Sequence, residues 1–136
     1  MIDRLDQELR FHQLSLGVRA QRQELLASNI ANADTPHYKA RDIDFRSALE
    51  GAISGRAEGA LAVRRTAPGH LEGEGGGGRF GAAVRYRSEY QAAVDGNTVN
   101  MDVERSAFAE NAIQIEAALT FVREKFRHMQ SAIQGQ

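Results

Sequence analysis

The C-terminal part of the chain repeats apolar residues at steps of four and three, and this regularity constrains the fold of the 136-residue sequence more than any other feature. The pattern resolves into two interleaved seven-residue series over positions 108–133. Such a heptad repeat favours a left-handed coiled coil. Asn100 is a good N-cap, and Asp102 and Glu104 then place negative charge in the first turn. The first series is Phe108, Ile115, Val122 and Met129, and the second is Ala112, Leu119, Phe126 and Ile133.

Helix-breaking residues are confined to the middle of the chain. Residues 34–98 hold eleven of the 13 glycines and both prolines, Pro36 and Pro68. We therefore predict a mainly α protein with an N-terminal helix over residues 1–33, a middle segment over 34–98 and a C-terminal helix over 99–136. Apolar and polar residues alternate at 61–65 and 84–87, which indicates two short strands. The Gly-rich run at 73–78 has the composition of a flexible loop.

The predicted N-terminal helix carries two apolar stripes, so it can contact two neighbours. We expect the first stripe to pack against the heptad seam of the same chain and the second to face neighbouring subunits. Leu119→Asp should then abolish helix pairing, whereas Leu14→Asp should spare the monomer and block assembly. The intra-chain set is Leu5, Leu9, Leu16, Leu26, Ile30, Phe108, Ile115, Leu119, Val122, Phe126 and Met129, and the second stripe is Phe11, Leu14, Val18 and Leu25.

Composition argues against several classes of protein. The formal net charge of −1 is unlike the basic balance of a nucleic-acid binder. The sequence contains no run of 18 apolar residues, so no membrane span is predicted. Charged residues near the N-terminus lie where a cleavable signal peptide would have its apolar core, so no such signal is expected. Cysteine and tryptophan are absent and aromatic residues make up 7% of the chain. This composition favours an elongated or assembly-dependent protein over a small enzyme.

The sequence contains no recognisable pattern of catalytic, metal-binding or nucleotide-binding residues. His12, His37, His70 and His128 lack metal-ligand spacing, and the Gly-rich run lacks the Gly-Lys-Ser/Thr ending of a phosphate loop. Residues 95–104 do not fit the ligand positions of a calcium loop. Asp42 and Asp44 alternate with other residues in a strand-like stretch and are expected on a solvated face. We predict no catalytic, cofactor-binding or metal-binding residues, and no enzyme.

Residues 28–39 are unusual because two asparagines, Asn29 and Asn32, share one face at the end of the N-terminal helix. Thr35-Pro36 then stops the helix. One interpretation is a helix end and turn with two incidental asparagines. The other is that their amides bind neighbouring chains or hold the turn, which makes Asn29 and Asn32 candidates for a subunit interface.

Residues 27–38 resemble the N-terminal motif of bacterial flagellar rod and hook proteins, an axial family. Residues 39–45 and 95–104 strengthen the resemblance to rod proteins in particular. It covers both helical ends, and little of it extends into residues 50–85. The motif turns are Thr35, Pro36, His37 and Tyr38, and Asp95, Gly96 and Asn97.

The resemblance implies an inner domain in which the terminal helices pair as an antiparallel coiled coil that lines an export channel. It implies a structural subunit of the rod, in the periplasmic space, that transmits torque and performs no catalysis. Such proteins are exported unfolded by the flagellar type III apparatus, without a cleaved signal. The implied partners are further copies of the chain, rod proteins of the FlgC, FlgF and FlgG types, the adaptor FliE and the membrane-ring protein FliF.

This chain departs from the rod pattern at two positions. Rod proteins usually have Gly where this chain has His37, and Gly suits a positive φ better than His does. We therefore expect a reshaped turn there. Rod proteins tend to have Asp in place of Asn100, an exchange that keeps the capping role.

Three other interpretations stay open. A cytoplasmic coiled-coil adaptor or regulator explains the heptads but not the two motifs, and it should form a stable helical dimer. A small enzyme would need a cleft built from the Gly-rich middle. Only residues 39–45 and 95–102 argue against a sister rod protein of the same axial family.

Overall fold

The computed structural model describes residues 2–54, 84–88 and 94–135, and these form three helices and one antiparallel sheet. In chain order they are α1 (Ile2–Ala31), β1 (Arg41–Ile43), α2 (Phe45–Ile53), β2 (Val84–Tyr86) and α3 (Met101–Gln134). The predicted mainly helical architecture is confirmed. None of the described helices is both long and apolar enough to cross a bilayer.

The two ends of α3 follow the local sequence. Asn100 has an extended backbone, and its side-chain oxygen accepts from the backbone N–H of Asp102 at 3.1 Å and of Val103 at 3.4 Å. This confirms the predicted N-cap. The helix ends at Gly135, whose φ of 72° is left-handed and whose N–H bonds to the carbonyl of Ser131.

The sheet joins two segments that are distant in sequence. β1 and β2 pair antiparallel, with Arg41 opposite Tyr86 and Ile43 opposite Val84. The strand predicted near residue 84 is therefore present, but it pairs with β1. The other predicted strand at 61–65 and the Gly-rich run at 73–78 lie outside the described residues.

Helix α2 was not predicted, and Asp44 explains why it begins where it does. The Asp44 carboxylate accepts from the backbone N–H of Arg46 at 3.1 Å and of Ser47 at 3.5 Å, so it caps the helix. Asp44 thus has a local structural role in addition to facing solvent.

A small apolar core lies where α1 meets α2 and the sheet. Its buried members are Val18, Ile43, Ala48 and Ala52, with Leu14, Leu25, Phe45 and Val84 packed around them. The assignment of the second α1 stripe to neighbouring subunits is therefore wrong for Leu14, Val18 and Leu25. The physical reason is that α2 and the sheet supply an intra-chain partner for this stripe.

Helices α1 and α3 pack side by side in antiparallel orientation. Contacts run from Asn29 with Glu104, through Gln23 with Asn111, to His12 with Phe121, whose ring centroids are 5.2 Å apart. Of the first α1 stripe, Leu26 is buried and Leu9, Leu16 and Ile30 are half-buried, while the side chain of Leu5 lies outside the described part.

The face that α3 turns inward differs from the predicted seam. Phe108, Ile115, Val122 and Met129 are half-buried, but Leu119 and Phe126 keep 41% and 50% of their surface exposed, and Ile133 keeps 87%. The assignment of Leu119 and Phe126 to the intra-chain seam is therefore wrong. The inward face instead consists of the first series together with Glu104, Asn111 and Ala118. Glu104 and Asn111 are fully buried.

Candidate functional site

The polar junction where α1 ends and α3 begins brings the two sequence motifs together. Asn29 is fully buried there. Its side-chain oxygen accepts from the backbone N–H of Arg41 at 3.1 Å, and its Nδ2 donates to the carbonyl of Arg41 at 2.8 Å. The side chain thus pairs with the edge of β1 as a neighbouring strand would. The same Nδ2 donates to Glu104 Oε2 at 3.1 Å, which joins α1 to α3.

Asn32 and Tyr38 close the turn after α1. Asn32 Nδ2 donates to the carbonyl of Ser28 at 2.8 Å, and its oxygen accepts from the Thr35 hydroxyl at 3.2 Å. The Tyr38 hydroxyl lies 3.1 Å from the Ser28 hydroxyl. Of the two interpretations of the asparagines, the structure supports amides that hold the turn. Asn29 is not an interface residue, because the chain itself surrounds it.

Asn97 completes the C-terminal end of α1 from far along the chain. Its Nδ2 donates to three carbonyls at the helix end, those of Asn32 at 3.1 Å, Ala33 at 2.8 Å and Thr35 at 2.9 Å. Its side-chain oxygen accepts from the N–H of Val99 at 2.8 Å. The carbonyls of Asn32 and Thr35 also accept from the backbone N–H groups of Thr35 and Tyr38. The buried amide of Asn97 is therefore the donor to the carbonyl of Ala33 and a second donor to the other two.

The two motif turns touch at His37 and Gly96. His37 has a φ of 61°, and Gly96 one of 70°. The N–H of His37 donates to the carbonyl of Asp95 at 3.0 Å, and Lys39 Nζ donates to the carbonyl of Gly96. His37 thus adopts the left-handed conformation that Gly would take more easily. Pro36 and Thr35 are exposed beside it.

A chain of ion pairs links α1, the sheet and α3 behind the motif turns. Arg22 Nε lies 2.9 Å from Asp42 Oδ1, and Arg87 Nη2 lies 2.5 Å from Asp42 Oδ2. Arg87 Nη1 reaches Glu104 Oε1 at 2.6 Å. Asp42 is therefore not part of a merely solvated face. Each charge in the chain has an opposite charge within hydrogen-bonding distance, as burial requires.

The pKa shifts in this network follow from its contacts. Burial raises the pKa of Asp42, but the hydrogen bonds from Arg22 and Arg87 and the charge of Arg22 outweigh it and leave the pKa below its ordinary value. The hydrogen bond to Asp42 in turn raises the pKa of Arg22. Asp42 and Arg22 are therefore charged at neutral pH.

Sequence reasoning missed Arg22, Arg87, Glu104 and Asn111. One signal could have found the last two: they lie seven residues apart beside the apolar series, where a helix-pairing face is expected to stay apolar. Arg22 and Arg87 gave no comparable signal, because their partners come from other elements.

One set of exposed apolar residues lies away from this junction. Ala112, Leu119, Phe126 and Ile133 form one flank of α3, which we call the α3 flank. Phe11 lies on α1 and keeps 44% of its surface exposed. It lines a groove of about 360 Å³ with Gln7, Arg10, Leu14 and Ile53, between the first half of α1 and the end of α2.

The contacts at the junction are those of a structural element that holds helices and sheet together. Its carboxylates are held by arginines and an asparagine amide, and no group of three His, Cys, Asp or Glu side chains among the described residues could hold a metal ion. It can fix the relative position of α1, the sheet and α3.

Comparison with known proteins agrees with a structural role. The family model for flagella basal body rod proteins matches residues 9–39, which span most of α1 and the turn after it. The FlgB rod protein of Salmonella typhimurium is 45% identical over 137 residues and covers 99% of both chains. That of Escherichia coli K12 is 44% identical over the same length and share, and that of Cereibacter sphaeroides is 43% identical over 129 residues, 95% of both chains. The chain belongs to the FlgB family of flagellar basal body rod proteins.

Proposed function

We propose that this chain builds the proximal part of the flagellar rod, where it transmits torque and contributes to the wall of the export channel. In this proposal α1 and α3 act together as an antiparallel coiled coil. The observation that carries it is the full-length similarity to FlgB proteins, at 45% identity over 99% of both chains. No step of chemistry is required.

The proposed contacts with other subunits use the α3 flank and Phe11. Three large apolar side chains of the flank are at least 41% exposed, with Ile133 at 87%. Exposed apolar residues that align along one helix are typical of protein–protein contacts. We further propose that the partners are other copies of this chain, rod proteins of the FlgC, FlgF and FlgG types, the adaptor FliE and the membrane-ring protein FliF.

The proposed location is the rod within the periplasmic space. We propose that the chain reaches it through the flagellar type III export apparatus, without a cleaved signal peptide. The supporting observation is the membership in a rod family.

Complementation tests this proposal. In a Salmonella typhimurium strain that lacks its own FlgB, the parent chain should restore rods in isolated basal bodies and swimming in soft agar. Phe126→Asp combined with Ile133→Asp should abolish both, while leaving the helical circular dichroism of the purified chain unchanged. Thr120→Asp is the matched control, because it places a carboxylate on an exposed position of α3 outside the flank. Failure of the parent chain to restore rods, or swimming by the double variant, would count against the proposal.

A further inference from the structure

Two fully buried polar side chains occupy the face that α3 turns toward α1. Glu104 and Asn111 are seven residues apart, at the same position of the heptad repeat. Glu104 accepts from Asn29 Nδ2 at 3.1 Å, and Asn111 Nδ2 donates to Gln23 Oε1 at 2.6 Å and to the carbonyl of Arg19 at 2.9 Å. We infer that they form a polar ladder that restricts α3 to the α1 of its own chain, in one register.

The apolar half of the face cannot define a register. Phe108, Ile115, Val122 and Met129 recur every seven residues, so sliding α3 by one heptad replaces one apolar side chain by another. The other half of the face is different at each step, because it reads Glu104, Asn111, Ala118 and Lys125. Any discrimination between registers therefore comes from this second series.

Each rung of the ladder has a partner that only the observed register supplies. An α3 displaced by seven residues would place Ala118 opposite Gln23 and Asn111 opposite Asn29. Gln23 would then lose its donor, and Arg87 would lose the carboxylate of Glu104, which lies 2.6 Å from it. Leaving a buried polar group unpaired lowers an equilibrium constant by a factor of about 5 to 150.

Burial of the Asn111 side chain lowers the stability of the fold, which indicates that this residue serves specificity. Its Oδ1 is buried and has no hydrogen-bond partner among the described residues. An apolar residue at this position would avoid that cost. A single buried Asn at such a position is known to select register and partner in helix pairs at the expense of stability.

The discrimination matters most between copies of the chain. Within one chain, the N–H of Thr98 bonds to the carbonyl of Tyr38, and Asn97 caps α1, so the start of α3 is already tied to the end of α1. Nothing comparable holds an α3 that comes from another copy. There the apolar series alone would permit several registers, and the ladder opposes them.

Intermolecular cross-linking tests the ladder on the purified chain, independently of any role in the rod. The chain contains no cysteine, so introduced thiols report single positions. Chains with His12→Cys are mixed with chains carrying Phe121→Cys, Gln114→Cys or His128→Cys and then oxidised. Phe121 faces His12 in the observed register, and the other two report displacement by seven residues in either direction.

With Asn111→Leu in both chains, we expect intermolecular disulfides to rise roughly fivefold or more at both displaced positions. Helical circular dichroism should be retained. Thr120→Leu, which adds the same apolar group at an exposed position, should leave the cross-links at the parent level. Equal cross-linking in the Asn111→Leu and Thr120→Leu chains would overturn the inference. So would loss of helical structure in Asn111→Leu, because Asn111 would then serve stability alone.

Discussion

His37 occupies the space that a side chain at position 96 would need. A Cβ built on Gly96 would lie 2.9 Å from Nδ1 of His37, and the φ of Gly96 is +70°. The two turns that carry the family motifs therefore fit together only because one of these two positions has no side chain.

Gly96→Ala should destabilise the chain by about 1–3 kcal/mol, because it combines the unfavourable φ with the contact to His37. The measurement is the free energy of unfolding from urea titration. Gly51→Ala is the control, since a Cβ there meets nothing within 4 Å and Gly51 lies inside α2. It should stabilise by about 0.5–1 kcal/mol. Equal effects of the two substitutions would contradict the close fit.

His37→Gly should stabilise the chain by about 1 kcal/mol, because Gly adopts the φ of 61° at lower cost. It should also reduce the cost of Gly96→Ala, since the imidazole is gone. A double-mutant cycle over His37→Gly and Gly96→Ala measures that coupling. Additive effects would show that the two turns do not interact sterically.

Asn97→Ala should destabilise the chain by about 1–3 kcal/mol, because the carbonyl of Ala33 loses its donor and those of Asn32 and Thr35 each lose one of two donors. Hydrogen exchange should locate the loss at the end of α1, in faster exchange of the amides just before residue 32. Asp34→Ala, an exposed change in the same turn, should leave both quantities near the parent values. Faster exchange confined to α3 would contradict the capping role.

The ion pairs predict a specific dependence on pH. Because the pKa of Asp42 is lowered in the folded state, its stabilising effect is present above the unfolded value of about 3.9 and is lost as the pH falls through the lower folded value. Asp42→Asn should cost about 1–3 kcal/mol at pH 7 and should weaken the fall in stability between pH 6 and pH 3. Urea titrations at several pH values check this. An unchanged pH profile in Asp42→Asn would assign the acid sensitivity to other carboxylates.

The structure reverses the order of effects expected from the stripes alone. Leu14→Asp should destabilise the monomer by about 2–4 kcal/mol, because Leu14 packs against the core around Val18. Leu119→Asp should cost only about 1 kcal/mol, because Leu119 is 41% exposed. Thermal melts of both variants by circular dichroism measure the difference. A larger loss of stability in Leu119→Asp than in Leu14→Asp would support the seam predicted from the heptad pattern.

Local sequence rules predicted the elements whose causes are local. Periodicity and the absence of breakers gave the long helices, and Asn100 marked the start of α3. The choice of partner for each face was less predictable. Leu14 and Val18 find their partner in α2, and the alternating sequence around its N-cap Asp44 predicts only a solvated face. Asn111 directly precedes Ala112, which is in the same heptad series as Leu119, and periodicity alone cannot tell that the polar residue turns inward.

The candidate site was predictable in some of its residues and not in its connections. The two motifs named Asn29, Asn32, His37, Gly96 and Asn97 but not Arg22 or Arg87. The contacts between the motifs join distant parts of the chain, as between Asn97 and Asn32, 65 positions apart. Long-range pairing of this kind leaves no mark on local composition.

The hydrogen bonds from Asn97 to the turn after α1 imply an order in which parts of the chain can fold. A chain that emerges from a ribosome or a narrow passage with its N-terminus leading exposes all of α1 long before residue 97 arrives. Until then the carbonyl of Ala33 lacks the Asn97 amide, and the turn after the helix is held by its own backbone hydrogen bonds alone. The turn that ends the long first helix is therefore completed only by the segment that starts the last one.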